Sequence, residues 1–281
     1  MSTYYAGLFA DIGILTLGAL SVYIILATNQ LSLGNAGFMG IGSYASSFLT
    51  TQLHWPLTAA VIVAALIATV IGIVVGFPAL RLKGIYLAIA TLGFGEMVRS
   101  FFLVFTPMGG ASGYHGMRHV ALGYIWAWTT GILVLILLLE QSRLWLQMRA
   151  VHDDEVAASL VGLNTTLIKV GAFGFGAAVA AVAGALFAHH HVYIEPGNFG
   201  FERSIDFVLA VILGGSTIGL GPLAGAALLV LLPEWLRFVA DWRLAAFGAL
   251  LILVLLTRRQ GLLDRALLAK LSFRSKPGAK S

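Results

Sequence analysis

A chain of 281 residues with 59% hydrophobic and only 10% charged side chains falls far below the about 25% charge usual in soluble domains. Its mean hydropathy of +0.93 excludes an ordinary water-soluble fold. The absence of cysteine excludes a disulfide framework and a thiolate metal site, and the net charge of +5 is read through its placement, not as a nucleic-acid signal. The start, Met1 to Gly7, lacks a basic n-region, so the first apolar segment is expected to be retained. A span needs about 17–25 mostly apolar residues, and candidates lie near 8–28, 34–53, 57–79, 84–105, 121–140, 166–190, 205–217, 222–239 and 243–257. The second is rich in glycine and serine. The seventh is short enough to pair with the eighth as a re-entrant hairpin. The expected fold is an all-α polytopic integral membrane protein of about 8–9 transmembrane helices.

The basic residues orient these segments. A cytoplasmic C-terminus puts Arg81, Lys83, Arg143, Arg149, Lys169, Arg258, Arg259, Arg265, Lys270, Arg274, Lys276 and Lys280 inside. Only Arg99, Arg118, Arg203, Arg237 and Arg243 stay in the membrane or outside, as the positive-inside rule requires. Nine crossings put the termini on opposite sides, and losing only the second would move the N-terminus inward.

The same orientation makes the polar interruption at 148–164 cytoplasmic. It holds Arg149, His152, Asp153, Asp154 and Glu155, followed by Val156, Leu160 and Leu163 at the spacing of one helix face. The spacing predicts a single short amphipathic helix with its acids in the first turn, favourable to the helix dipole, and Asp153 or Asp154 as N-cap. Gly162 suits its exit, and Asn164 or Thr165 can cap the next helix. Such a helix either turns the chain or meets a partner.

Small residues let membrane helices approach closely. Gly176, Ala180, Gly184 and Ala188 recur at four-residue spacing; Gly72 and Gly76 do so in the third segment, and Gly221 and Gly225 in the eighth. These stripes serve packing within the chain or a dimer face. Two stretches, 31–43 and 212–225, are richer in glycine still, which weakens regular helix and leaves backbone groups to be satisfied by protein or water. Their similar placement hints at an internal repeat.

Charges inside the spans are costly, about 2.5–3.5 kcal/mol each near the bilayer centre. Glu96 and Arg99 lie three residues apart on one helix face, and form either a structural ion pair or part of a translocation path. Asn35, Thr91 and Asp11 are further polar positions within spans. His189, His190 and His191 point about 100° apart on a helix and cannot readily converge on one metal ion, which makes them an interfacial helix end. Glu202 and Asp206, beside Arg203, read as a polar rim. No phosphate loop, nucleophile motif, zinc-protease helix or dinucleotide fingerprint occurs in the sequence. Neither catalytic residues nor a metal site is expected, and any ATP-derived energy must come from another chain.

Three stretches, Leu31 to Tyr44, Tyr86 to Arg99, and Val211 through Gly221-Pro222 to Glu234, together with the ending Thr257 to Leu263, identify a wider likeness. The chain resembles the M-type (LivM-like) inner-membrane permease of branched-chain amino acid ABC importers over about residues 20–265. That resemblance implies a permease domain at 1–265, a basic cytoplasmic tail at 266–281, and a bacterial inner-membrane location with a cytoplasmic C-terminus. The implied partners are an H-type (LivH-like) permease, two ATPases that bind the ATP and magnesium, and an external solute-binding protein, with no cofactor in this chain and no nucleic acid. It makes 148–164 the coupling helix, docking on an ATPase through Arg149, Asp153, Asp154, Glu155, Ala158 and Gly162. The family's Glu-Ala-Ala element is displaced here: Val156 precedes Ala157, and Glu155 lies one residue early. Asn35, Thr91, Glu96 and Arg99 become candidates for the substrate path. The implied cargo is a branched-chain or other hydrophobic amino acid, although relatives carry urea and short amides. A stand-alone secondary transporter is the rival reading, opposed by the lack of further midplane carboxylates.

Overall fold

The computed structural model describes residues 3–79, 81–235 and 248. The expected ninth span, the end of the eighth, the ending at 257–263 and the basic tail lie outside the described residues. The described chain is helical, with α1 (Thr3–Leu26), α2 (Asn35–Thr51), α3 (Leu57–Ala79), α4 (Ile85–Val104), α5 (Leu122–Glu140), α6 (Arg143–Asp153), α7 (Glu155–Leu160), α8 (Thr165–His191), α9 (Phe201–Gly214) and α10 (Gly221–Trp235). Two-residue strands β1 (Tyr114–His115) and β2 (Tyr193–Ile194) pair antiparallel, Tyr114 opposite Ile194. Among the described residues, α1, α3, α4, α5 and α8 are long and apolar enough to cross a membrane.

Contacts give the direction of each helix. Asp11 lies beside His191 while Gly176 abuts Ser21 and Ile25, so α1 and α8 run antiparallel. The carbonyl of Leu26 meets His152 Nδ1 at 3.0 Å, which puts the end of α1 beside α6. Thr3 therefore starts at the bundle end opposite α6 and α7. The second segment is a helix of 17 residues running back alongside α8, from Asn35 near Ser21 to Thr50 near His189.

Helix α8 is the axis. Of its most apolar window 78% is buried and of that of α1 83%, against 33% for α3 and 28% for α5; α3 and α5 thus leave a broad face open for lipid. Its small-residue stripe is consumed within the chain. A methyl group built on Gly184 would lie 1.9 Å from the Met39 carbonyl oxygen, and one on Gly42 2.2 Å from that of Ala181. Gly72 meets Ala177 and Gly174 in the same way, and Gly225 approaches the Ala210 carbonyl. Each stripe is a helix–helix seam of this chain, reached because backbones without side chains can touch.

Helix α9 has 14 residues, about 21 Å at the α-helical rise and short of a hydrocarbon core of about 30 Å; α10 is described as far as Trp235. Gly214 packs on Gly221 and Ala210 on Gly225, so the two form an antiparallel hairpin joined by 215–220.

Candidate functional site

The polar segment is not the single helix that its spacing predicts. Asp154 breaks it, with an extended backbone (φ −153°, ψ 106°). The upstream part is the last two turns of α6, an amphipathic helix that begins at Ser142, whose Oγ accepts from Trp145 N at 3.4 Å. Arg149, His152 and Asp153 therefore close α6 and do not open a helix. Two successive acids explain the break: Asp154 leaves the helix so that its carboxylate can accept from Val156 N at 2.8 Å and Ala157 N at 3.0 Å, capping α7. Only Glu155 of the acids stands in the first turn of α7. Gly162 exits at φ +86°, and Asn164 Oδ1 caps α8 by accepting from Leu167 N at 3.0 Å.

Helix α7 is fixed from beneath and open above. Ala158 is 3% exposed and Glu155 Oε2 lies 2.7 Å from Lys169 Nζ on α8. Val156, Leu160 and Val161 are exposed by 67%, 82% and 77%. Leu163 falls beyond the helix, which ends at Leu160, so the outward apolar surface is completed by Val161 instead. Helix α6 is anchored by Trp145, buried and stacked on Tyr23 at 5.5 Å between ring centres.

The four polar candidates of the spans separate into two pairs. Asn35 and Thr91 lie where irregular backbone at 27–34 enters the bundle. Thr91 Oγ1 accepts from Leu33 N at 3.0 Å and donates to Ala88 O at 3.0 Å; Asn35 Nδ2 donates to Ser21 Oγ at 2.7 Å. Gly34 sits so close to the Thr91 carbonyl that a methyl group there would be 2.6 Å away. Glu96 and Arg99 lie about one to two turns farther along α4, at 3.5 Å from Nε to Oε2. Glu96 Oε1 also accepts from Phe201 N at 3.2 Å, so the carboxylate receives the N-terminus of α9. The ion pair is joined to a helix start, a place where negative charge is favoured.

One residue that sequence reasoning missed ties these parts together. Glu140, the last residue of α5, accepts through Oε1 from the Tyr23 hydroxyl and from Gly219 N at 2.7 Å. It thus holds the α9–α10 turn to the end of α5, three residues before the helix that leads into the polar segment. The histidines diverge as their helical spacing requires: His189 meets Thr50, His190 faces His119 and His191 faces Asp11. Among the described residues no group of three side chains could hold a metal.

Residues 4–256 match the family model described as the branched-chain amino acid transport system / permease component. The high-affinity branched-chain amino acid transport system permease protein LivM of Escherichia coli is 31% identical over 90% of this chain and 69% of its own. Its counterpart LivM of Salmonella typhimurium is 31% identical over 86% and 68%. The related permease protein LivH of Escherichia coli is 34% identical over half of this chain and 46% of its own. No solved structure matches the chain. The apolar long helices, the glycine seams and the match across nearly the whole sequence agree: the chain belongs to the permease-component family of branched-chain amino acid transport systems.

Proposed function

We propose that this chain is the M-type permease subunit of an ATP-driven importer, working in the bacterial inner membrane beside an H-type permease. Two ATPases bind ATP and magnesium on the cytoplasmic side, and an external solute-binding protein delivers a branched-chain or other hydrophobic amino acid. Relatives named as both M- and H-type permeases support the pairing, and the cargo is argued from what those relatives are named for. The relatives are transport permeases and not enzymes.

The observation that carries the reading is α7 itself. A six-residue helix with a buried Ala158, a clamp to Lys169 and three outward apolar side chains suits a rigid key for a partner's groove. An exposed apolar patch rimmed by charge is a common mark of a protein-binding surface. In this reading the ATPase pair closes on ATP, α7 moves with it, and α6 carries the displacement to the end of α1 and to α5. Glu140 then passes it to the α9–α10 turn. The permease offers a weak path and performs no chemistry on its cargo.

Charge reversal at Asp154 or Glu155 also weakens α7 itself by removing its cap or its clamp, so Leu160→Glu is the better test. Its side chain is exposed, and the subunit should insert at normal abundance while reconstituted complexes lose coupling between ATP hydrolysis and leucine uptake. Unchanged coupling would refute the docking role of α7.

A further inference from the structure

At the bundle end opposite α6 and α7, a cavity of about 410 Å³ lies between α1, α2, α8, α9 and α10. Its volume is within the range of about 300–1,000 Å³ common for small-molecule sites. Four ionisable side chains line it: Asp11, His191, Arg203 and Asp206. So many such groups, from three helices of an otherwise apolar bundle, are expensive in a membrane and mark functional surfaces. Asp11 Oδ1 and His191 Nε2 lie 3.7 Å apart, with 44% and 40% of their side chains open. Arg203 and Asp206 stand three residues apart on α9 and so share a helix face.

The rest of the wall is apolar. Phe187, Phe207, Leu229 and Val230 face the same space. The Arg203 guanidinium lies 5.4 Å from the centre of the Phe187 ring, where stacking orients the planar donor. Phe207 is fully buried and occupies the notch of Gly18, where a methyl group would lie 2.2 Å from the ring. A fixed guanidinium, carboxylates and an aromatic–aliphatic wall are complementary to one kind of small molecule: a zwitterion with a short apolar side chain.

We propose that this cavity is a way-station for the transported amino acid within the M-type subunit. Arg203 receives the α-carboxylate, for which its fork of donors is suited. Asp206 and Asp11 receive the α-ammonium, and the wall formed by Phe207, Leu229 and Val230 selects the side chain. The cavity lies at the far ends of the α9–α10 hairpin whose turn is held by Glu140, so a shift at that turn changes the wall of the site.

This inference rests on the importer reading, and the test separates the two. The complete transporter, with its second permease, ATPases and binding protein, is reconstituted in vesicles, and uptake of labelled leucine and alanine is measured. Arg203→Gln and Asp206→Asn should each lower leucine uptake about tenfold or more, as loss of a charge-assisted contact does, at unchanged membrane abundance. Val230→Phe, which fills the apolar end, should shift the alanine-to-leucine uptake ratio about tenfold toward alanine, a change of preference that misfolding does not produce. If the wild-type complex carries leucine while Arg203→Gln and Asp206→Asn carry it equally well, the site is overturned and the importer reading stands. Equal loss of both amino acids in Val230→Phe also overturns it. A wild-type complex that carries urea or acetamide but no amino acid overturns the cargo and the site together.

Discussion

The two glycine-rich stretches look alike in sequence and are built for different work. In the first, irregular backbone at 27–34 is secured by neutral hydroxyls, Thr91 to Leu33 N and Ser32 to Gly34 N. The following helix α2 is then locked onto α8 by reciprocal notches, Gly42 against Ala181 and Gly184 against Met39. In the second, the turn at 215–220 is secured by a carboxylate from α5, and its glycines seat α9 against α10. The first stretch is part of the frame. The second is a hairpin whose legs are notched chiefly to each other, tied at its turn by a charge at the junction of α5 and α6. A bond to a carboxylate is stronger than one between neutral groups, and it concentrates the hold at one point.

The largest effect should come from closing the frame's notch. Gly184→Val drives side-chain atoms into the Met39 carbonyl and should destabilise the subunit by about 3 kcal/mol or more, read as lost abundance and a lowered unfolding temperature in detergent. Next comes the tether. Glu140→Leu strands the Gly219 N–H, removes one bond of the Tyr23 hydroxyl and should cost about 2–3 kcal/mol, whereas Glu140→Gln keeps an acceptor and should retain most of the stability; equal losses in the two would show that the carboxylate does not carry the turn. Thr91→Val removes the two neutral bonds to Leu33 N and Ala88 O and should cost about 1–2 kcal/mol, with uptake little changed if the frame does not move. The smallest effect belongs to Lys169→Met, which breaks a partly exposed pair with Glu155 and should cost no more than about 1 kcal/mol; uptake falling much more than abundance would place the clamp in the coupling path.

Much of this was legible in the sequence for reasons that are local. Apolar length marks α1, α3, α4, α5 and α8, and the small-residue stripe marks the seams, because a close approach needs glycine whichever helix supplies the partner. The caps at Asn164 and Asp154 follow from short polar side chains at helix starts. The break at Asp154 did not follow, since a face-spacing argument runs straight through an extended residue. Neither did Glu140: at the end of an apolar run it reads as a simple interfacial boundary, and its partner Gly219 is 79 residues away. Asp206 looked like a rim because its neighbours in sequence are charged, while the cavity it lines is closed by α1 and α10.

The placement of the axial helix has a consequence for how the molecule is made. Residues 165–191 emerge from the ribosome only after α1 to α5, so the early helices must dwell in lipid without the partner they are shaped to meet. Three of their buried hydroxyls are prepared for that interval. Thr16 donates to Ile12 O at 2.7 Å, Ser21 to Gly18 O at 2.6 Å and Ser43 to Met39 O at 2.9 Å, all within the helix that carries them. A polar group satisfied by its own helix incurs little penalty in hydrocarbon. Ser43 then bonds the Gly184 carbonyl at 2.7 Å when α8 arrives, turning a residue that could wait into one that recognises the newcomer.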